Sequence, residues 1–501
     1  MSRNNAPKNR IGCMIVMILL IVAMIAGTAF MIKLCLDVVN QAPPVRNPSS
    51  NVTILPTAGT EPTETEAPTE TTMPEPEHVV ATATIGAMGD LLMHKTVFDD
   101  SQYNSAVQKA DGTYDFEPVF RYLKDYVTPL DYAAINLETT LASNDNGYAY
   151  SGYPNFNCPD EIVDGVMDSG FDMLLTANNH SYDTTMVGYK RTLEVAREAG
   201  METLGTYLSA DETKWTIVDI NGIQVGMLCY TWANYDTEDG RPSLNGNAPI
   251  AEAGLCNYFV TKEDPSTFYS EVEGYLQEME EAGADATVMY IHWGVEYLLS
   301  PNDEQKKLAQ GLCDLGIDVI VGGHPHVVQP VALLESTTDP DHKTVCIYST
   351  GNAVSNQRLG NLDSIKTAHT EDGILFTVTF ERYSDGTVYL AGTDAIPTWV
   401  NMHNNSNGKT EYTILPLDYS RVEEWKDMFD LGDNTLNAAK KSYDRTWALV
   451  GEGLAASQEY LDQQKQEREQ YYYDLVFNPD KLLTEATEAP AETETTTAAT
   501  E

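Results

Sequence analysis

Six apolar runs of seven or eight residues, spread through the middle of the chain, restrict the fold more than any other feature. They are ATATIGAM (81–88), DYAAINL (131–137), FDMLLTA (171–177), ATVMYIH (286–292), IDVIVGG (317–323) and KTVCIYS (343–349). Each is too short for a core helix and largely apolar, the pattern of strands covered on both faces. Helical periodicity occurs between them over 159–170, 184–200, 266–283 and 302–316, and several of these stretches end in glycine, a common helix stop. Strand–helix–strand alternation predicts an α/β layered fold. Two hairpin signals, 215–230 turning at Asn221-Gly222 and 374–393 turning at Asp385-Gly386, mix in an antiparallel component.

Each of the six runs leads into polar residues. They are Gly89-Asp90 with His94, Asn136-Leu137-Glu138, Asn178-Asn179-His180 with Asp183, His292-Trp293-Gly294 with Glu296, Gly322-Gly323-His324-Pro325-His326, and Ser349-Thr350-Gly351-Asn352. A single His or Asn after a strand usually serves a turn, and Gly89-Asp90 alone would read as a helix cap. Six in succession are hard to explain that way, because open α/β sheets bind ligands beyond the carboxyl ends of their strands. Carboxylate, imidazole and amide oxygen together suit divalent Mn, Fe, Zn or Mg, one ion or two. Asp90, Glu138, Asn179, His292, His324 and His326 would suffice as ligands, leaving His180 free to give a proton to a leaving group. Asp183 and Glu296 are the further catalytic candidates beside His180, and like His94 they rest on position alone. His78, His342, His369 and His403 lie in polar stretches and read as surface residues.

Residues 11–32 contain no charge and are long enough to span a bilayer as a helix. Arg3, Lys8 and Arg10 precede them and only Lys33 follows closely, so the positive-inside rule leaves residues 1–10 in the cytoplasm and the rest outside the cell. A cleaved signal peptide is the alternative, with Gly27-Thr28-Ala29 as a weak cleavage site. Residues 34–79 and 481–501 are rich in Pro, Thr and Glu and too poor in large apolar residues to fold, which suits a spacer and a disordered tail. The folded domain is expected over 80–400 and a helical extension, packed on the domain or on a partner, over 401–480. With 75 acidic against 30 basic residues, a net charge of -45 excludes nucleic acid as a partner and repels an anionic lipid surface. Seven cysteines without a C-x-x-C pair rule against a thiolate zinc site. Cys229 and Cys346 read as core residues, while Cys158 and Cys256 sit in loop-like contexts open to pairing.

The ordered motifs Gly89-Asp90, Asn136-Leu137-Glu138, Asn178-Asn179-His180 with Asp183, His292-Trp293-Gly294 with Glu296, Gly323-His324-Pro325-His326 and Ser349-Thr350-Gly351-Asn352 resemble those of the CapA family, the capsule-synthesis and poly-gamma-glutamate accessory proteins. The resemblance covers roughly residues 82 to 360. It implies a fold similar to the calcineurin-like metallophosphoesterases, a four-layer α/β/β/α sandwich with a dinuclear metal site. By that resemblance Asp90 is a terminal ligand, Glu138 the bridging carboxylate and Asn179 a ligand. His292, His324 and His326 complete the metal shells, and His180 stands near the leaving group. It further implies a membrane-anchored protein acting on an anionic surface polymer or its precursor beside membrane polymer-synthase subunits. The competing expectation is a non-catalytic, metal-dependent polymer-binding module or a surface spacer. Two departures stand out: Leu92 occupies the histidine position of the Asp-x-His motif, and the bridging residue is Glu where those enzymes have Asp.

Overall fold

The computed structural model describes residues 75–234, 241–246, 254–361, 366–479 and 481. The transmembrane helix expected over 11–33 lies outside them, as do residues 34–74 of the expected linker and 482–501 of the acidic tail. Among the described residues no helix is long and apolar enough to cross a membrane.

Fifteen strands form two sheets among the described residues. The first contains β1 (Val79–Leu91), β2 (Tyr132–Asn136), β3 (Met173–Leu175) and β4 (Glu202–Leu204), which run parallel side by side. On the other side of β1 come the antiparallel strands β13 (Asp372–Tyr383), β14 (Val388–Asn404) and β15 (Thr410–Pro416), while short β12 (Asn352–Val354) pairs with the end of β1. The second sheet runs β10 (Val328–Glu335), β11 (Lys343–Thr350), β9 (Val319–Gly323), β8 (Ala286–His292), β6 (Ile223–Ala233), β5 (Thr216–Ile220), with β7 (Tyr258–Val260) also on β6. Its four central strands are parallel and its two edges antiparallel.

The side-chain alternation of a strand decides which face each residue serves. Ile85 and Ala87 of β1, Ala134 of β2 and Phe376 and Phe380 of β13 share one core with Met227, Tyr290, Val321 and Ile347 of the second sheet. The intervening residues face outward. Ala133 and Ile135 of β2 pack with Ile162, Val163 and Val166 of α1 (Ile162–Asp168). Leu228, Met289, Ile320 and Cys346 pack with Phe268, Val272 and Met279 of α3 (Ser266–Glu281) and Leu308 and Leu312 of α4 (Asp303–Asp314). Helix α2 (Thr185–Ala199) follows β3 and closes on Gly200 in the left-handed region (φ 98°), the glycine stop read from its sequence. All six apolar runs are strands and all four periodic stretches are helices. Both hairpins form, with Asn221 (φ 56°), Gly222 (φ 87°) and Gly386 (φ 94°) in the conformation those turns require.

Two expectations need correction. Residues 401–416, assigned to the helical extension, complete β14 and form β15, so the first sheet runs on past residue 400. The helix itself, α5 (Asp433–Phe477), lies on the domain. Val450, Leu454 and Leu461 enter the core between the sheets, and Gly453 lies so close to β10 that a Cβ would stand 1.9 Å from the Val331 carbonyl oxygen. The five cysteines among the described residues are all free and buried. Cys158 belongs to an outer core and Cys256 to the core between the sheets, so packing separates the two that looked open to pairing. Burial pushes the Cys229 thiol up to about 12 and Cys256 higher still, which makes both poor nucleophiles.

Candidate metal centre

The parallel strands of both sheets point their carboxyl ends to the same place, and the polar residues that follow them converge there. Asp90 at the end of β1 is fully buried. Asn136 Nδ2 donates to Asp90 Oδ1 at 2.8 Å, and Asn178 Nδ2 donates to Asn136 Oδ1 at 3.0 Å, an amide relay across the ends of β1, β2 and β3. Burial opposes the Asp90 charge, but the His326 hydrogen bond, the electrostatic interaction with the imidazoles of His292 and His326, and the Asn136 hydrogen bond outweigh it and hold the carboxyl below its ordinary range.

Glu138 is the centre of the arrangement. Both of its carboxylate oxygens are buried and neither has a hydrogen-bond partner. Burial, then the charges of Asp90, Glu296 and Asp183, push its pKa well above the usual value. Its Oε1 is surrounded by imidazole nitrogens just beyond hydrogen-bond reach: His292 Nε2 at 3.5 Å, His326 Nε2 at 3.8 Å and His180 Nε2 at 4.0 Å. Ligands of one ion at roughly 2.0–2.2 Å stand about 3–3.5 Å from each other, so the closest of these spacings suit a shared ion better than they suit hydrogen bonds.

Two donor groups meet at Glu138. In one, Glu138, His292 and His324 bring ligand atoms within 4.8 Å of one another; in the other, Asp90, Glu138 and His326 do. Asn179 Oδ1 lies at hydrogen-bond distance, 2.6 Å, from His292 Nε2, and His324 Nδ1 lies 3.2 Å from the same nitrogen, so the Asn179 amide oxygen stands beside the first group. Burial, with neighbouring imidazoles adding, drives His324 well below its ordinary pKa; burial brings His292 down to about 3, the pull of Asp90 opposing it. Both therefore present the neutral ring that a metal needs. His326 is opposite: burial disfavours its charge, but Asp90 and Asn352 raise its pKa. Buried unpartnered oxygens among neutral imidazoles fit a divalent cation, as does the absence of thiolate.

The backbone is shaped to the same end. His324 (φ 94°) and His326 (φ 55°) both occupy the left-handed region, a cost of about 1–3 kcal/mol each, and such strain concentrates at functional sites. A Cβ on Gly89 would lie 1.9 Å from the Gly351 carbonyl oxygen, which accepts the Asp90 N–H at 3.0 Å. Gly89→Ala must push these two segments apart. It is expected to cost about 1–3 kcal/mol in a urea titration and to lower bound metal with it.

His180 and Asp183 are beside this cluster. His180 Nδ1 is 2.7 Å from Asp183 Oδ2, which also accepts the Phe156 N–H at 2.6 Å, and the opposite ring nitrogen faces Glu138. Glu296 is exposed on the loop after β8 and joins neither donor group. The structure does not bring His94 into the ligand set. Its Nδ1 accepts the Asn356 N–H at 3.2 Å, and its ring meets Phe156 edge-on. Leu92 is a buried core residue, so no imidazole stands at the missing Asp-x-His position. Asn136, Asn178 and Asn352 are part of the site although they were not among the expected ligands; their places at the strand ends were the available signal. Trp232, against His324 with ring centroids 5.3 Å apart, had none.

His94 supplies a pH prediction independent of metal. Burial lowers its pKa to about 4, against the pull of the Leu92 carbonyl oxygen beside the ring. A depressed histidine contributes stability above the unfolded value near 6.5 that is lost as pH falls toward the folded value. Replacing His94 with Gln should flatten the decline in metal-free stability between pH 6.5 and about 4, measured by urea unfolding at several pH values. An unchanged slope would refute the assignment.

A family model described as bacterial capsule synthesis protein PGA_cap matches residues 84–357, a span that holds every donor named above. The "Capsule biosynthesis protein CapA" of Bacillus anthracis is 26% identical over 336 residues, 65% of this chain and 71% of that protein. The "PGA biosynthesis protein CapA" of Bacillus subtilis (strain 168) is 27% identical over 280 residues, 55% of this chain and 67% of that protein. With more than half of its length matched, strand ends and donor groups included, the chain belongs to the PGA_cap family of bacterial capsule synthesis proteins.

Proposed function

We propose that this protein is a metal-dependent hydrolase or transferase of a phosphate, ester or amide in the synthesis, export or attachment of an anionic surface polymer of the poly-gamma-glutamate or capsule type. The observation that carries the reading is the Glu138 carboxylate, buried without hydrogen-bond partners and shared by two donor groups. Two packed sheets flanked by helices support a four-layer α/β/β/α sandwich of the metallophosphoesterase type.

Asn179, Glu138, His292 and His324 would hold one ion, and Asp90, Glu138 and His326 a second, weaker one that lacks the Asp-x-His imidazole. Divalent Mn, Fe, Zn or Mg bound there would polarise a phosphoryl or carbonyl oxygen and activate water. Asp183 accepts from His180 Nδ1–H, fixes the tautomer and leaves Nε2 to exchange a proton with the leaving group. Glu296, exposed at the mouth, is the remaining candidate acid. The uncharged segment 11–32 would anchor the protein with its domain outside the cell, next to polymer-synthase subunits. The acidic surface then requires cations or basic partners to approach an acidic polymer.

Leu92 and the longer bridging Glu138 favour one second reading, a module that holds metal and polymer carboxylates without turnover. Hydrolysis of a model phosphoester or amide by the metal-loaded chain separates the two. Turnover that vanishes on chelation is the expected result, and metal binding without turnover would select the second.

A further inference from the structure

Helix α5 is tied to the metal site by a continuous set of buried and half-buried contacts. Asp372, the first residue of β13, is buried. Ser442 Oγ of α5 donates to Asp372 Oδ1 at 2.6 Å, and Arg445 grips both carboxylate oxygens through Nε and Nη2. Arg445 Nη2 also donates to the Ala368 carbonyl oxygen at 3.2 Å, so one guanidinium fixes both ends of the segment 368–372.

That segment in turn holds Asn352. Asn352 Nδ2 donates to the Thr370 carbonyl oxygen at 3.0 Å, to His326 O at 3.2 Å and to Gln357 Oε1 at 3.2 Å. The backbones also touch: a Cβ on Gly373 would lie 2.2 Å from Asn352 O, and one on Gly351 would lie 2.6 Å from Asp372 O. Three acceptors around Nδ2 settle the amide orientation, which turns Oδ1 toward His326 Nδ1, 3.1 Å away, where it shares that nitrogen with Asp90 Oδ2 at the same distance. His326 Nδ1–H therefore donates, and Nε2 keeps the lone pair that faces Glu138. A partner that fixes the tautomer and ring of a metal-binding histidine typically changes metal affinity 10–100-fold.

We propose that Arg445 is a positioning residue for the metal site: through Asp372 and the 368–373 segment it fixes Asn352, and through Asn352 the ring of His326. The proposal rests on the metal reading above, and it makes the C-terminal helix part of the site rather than an appendage. It requires that loss of Arg445 weaken the Asp90–Glu138–His326 group and spare the Glu138–His292–His324 group.

The test is calorimetric titration of the metal-free full chain with Co2+, comparing wild type with Arg445→Ala, Asn352→Ala, the double variant, and Lys465→Ala. The last breaks a different bond between α5 and the sheet, Lys465 Nζ to Glu381 at 2.7 Å, with no link to Asn352. Arg445→Ala is expected to weaken the lower-affinity step about tenfold and to leave the other within about twofold. Asn352→Ala should match it, and the double variant should be no worse than either single one, because both act through one path. Lys465→Ala should move neither step. Should Arg445→Ala fail to fold, Arg445→Lys keeps the charge without the two-point grip, and the same selective weakening is expected. Equal weakening of both steps, an unchanged titration, or the same loss in Lys465→Ala would overturn the proposal. A wild type that takes up no Co2+ would remove the metal reading itself, whereas normal wild-type uptake with an unaffected Arg445 variant removes only this one.

Discussion

Glu138→Gln makes the metal-free protein more stable and removes most of its stabilisation by divalent cations. Without metal, the carboxyl is buried with no hydrogen-bond partner on either oxygen, and burial with the charge of Asp90 drives it toward the protonated form. A carboxyl raised in this way stabilises the fold only below its unfolded value near 4.5, and that contribution is lost as pH rises through its folded value. The neutral amide escapes this penalty, for a gain of about 1–3 kcal/mol in chelator at pH 7. With metal, the effect reverses. Wild-type protein at 1,000 times Kd should gain about 4 kcal/mol, and the variant, which keeps one neutral amide oxygen but loses the negative charge and the second oxygen shared by both groups, should gain much less. The measurement is thermal unfolding in chelator and in excess Mn2+. A variant that is less stable in chelator and rises with Mn2+ as far as wild type would show that Glu138 is an ordinary structural acid.

His180→Ala is expected to reduce turnover of a model phosphoester or amide by about 10²–10⁴-fold, the usual worth of a placed general acid or base, with bound metal unchanged. The separation follows from geometry. His180 Nε2 is 4.0 Å from Glu138 Oε1 but belongs to neither donor group, and its other nitrogen is committed to Asp183. Asp183→Asn should cost less, since it disturbs the ring's tautomer while keeping the ring. Loss of metal in His180→Ala would make His180 a ligand instead of a proton carrier.

The strands and helices that position the site were readable because each is short, periodic and closed by a turn residue of definite chemistry, such as Asn221-Gly222 or Gly200. Convergence of the six polar ends followed from strand direction alone. The short strands β4, β7 and β12 carry too few residues for an alternation to be seen, and β15 was absorbed into the helical region because a polar turn separates it from β14 and helical spacing follows it. Cys158 and Cys256 looked available in sequence because nothing local shows that two different cores bury them. The part played by α5 was invisible for a similar reason: Arg445 reads as one more charge on a polar helix until β13 places Asp372 against it. Leu92 was legible as a departure, and the structure adds that His94 does not replace it, being held instead by the Asn356 backbone.

Metal content tests the central claim most directly. The purified chain is equilibrated with equal micromolar Mn2+, Fe2+, Zn2+ and Mg2+, passed through a desalting column, and its bound metal counted by mass spectrometry beside His324→Ala. Between one and two equivalents are expected in the wild type, the lower value if the Asp90–Glu138–His326 group empties on the column, and His324→Ala should lose at least one equivalent. Equal metal in the two proteins, or none in either, would contradict that claim.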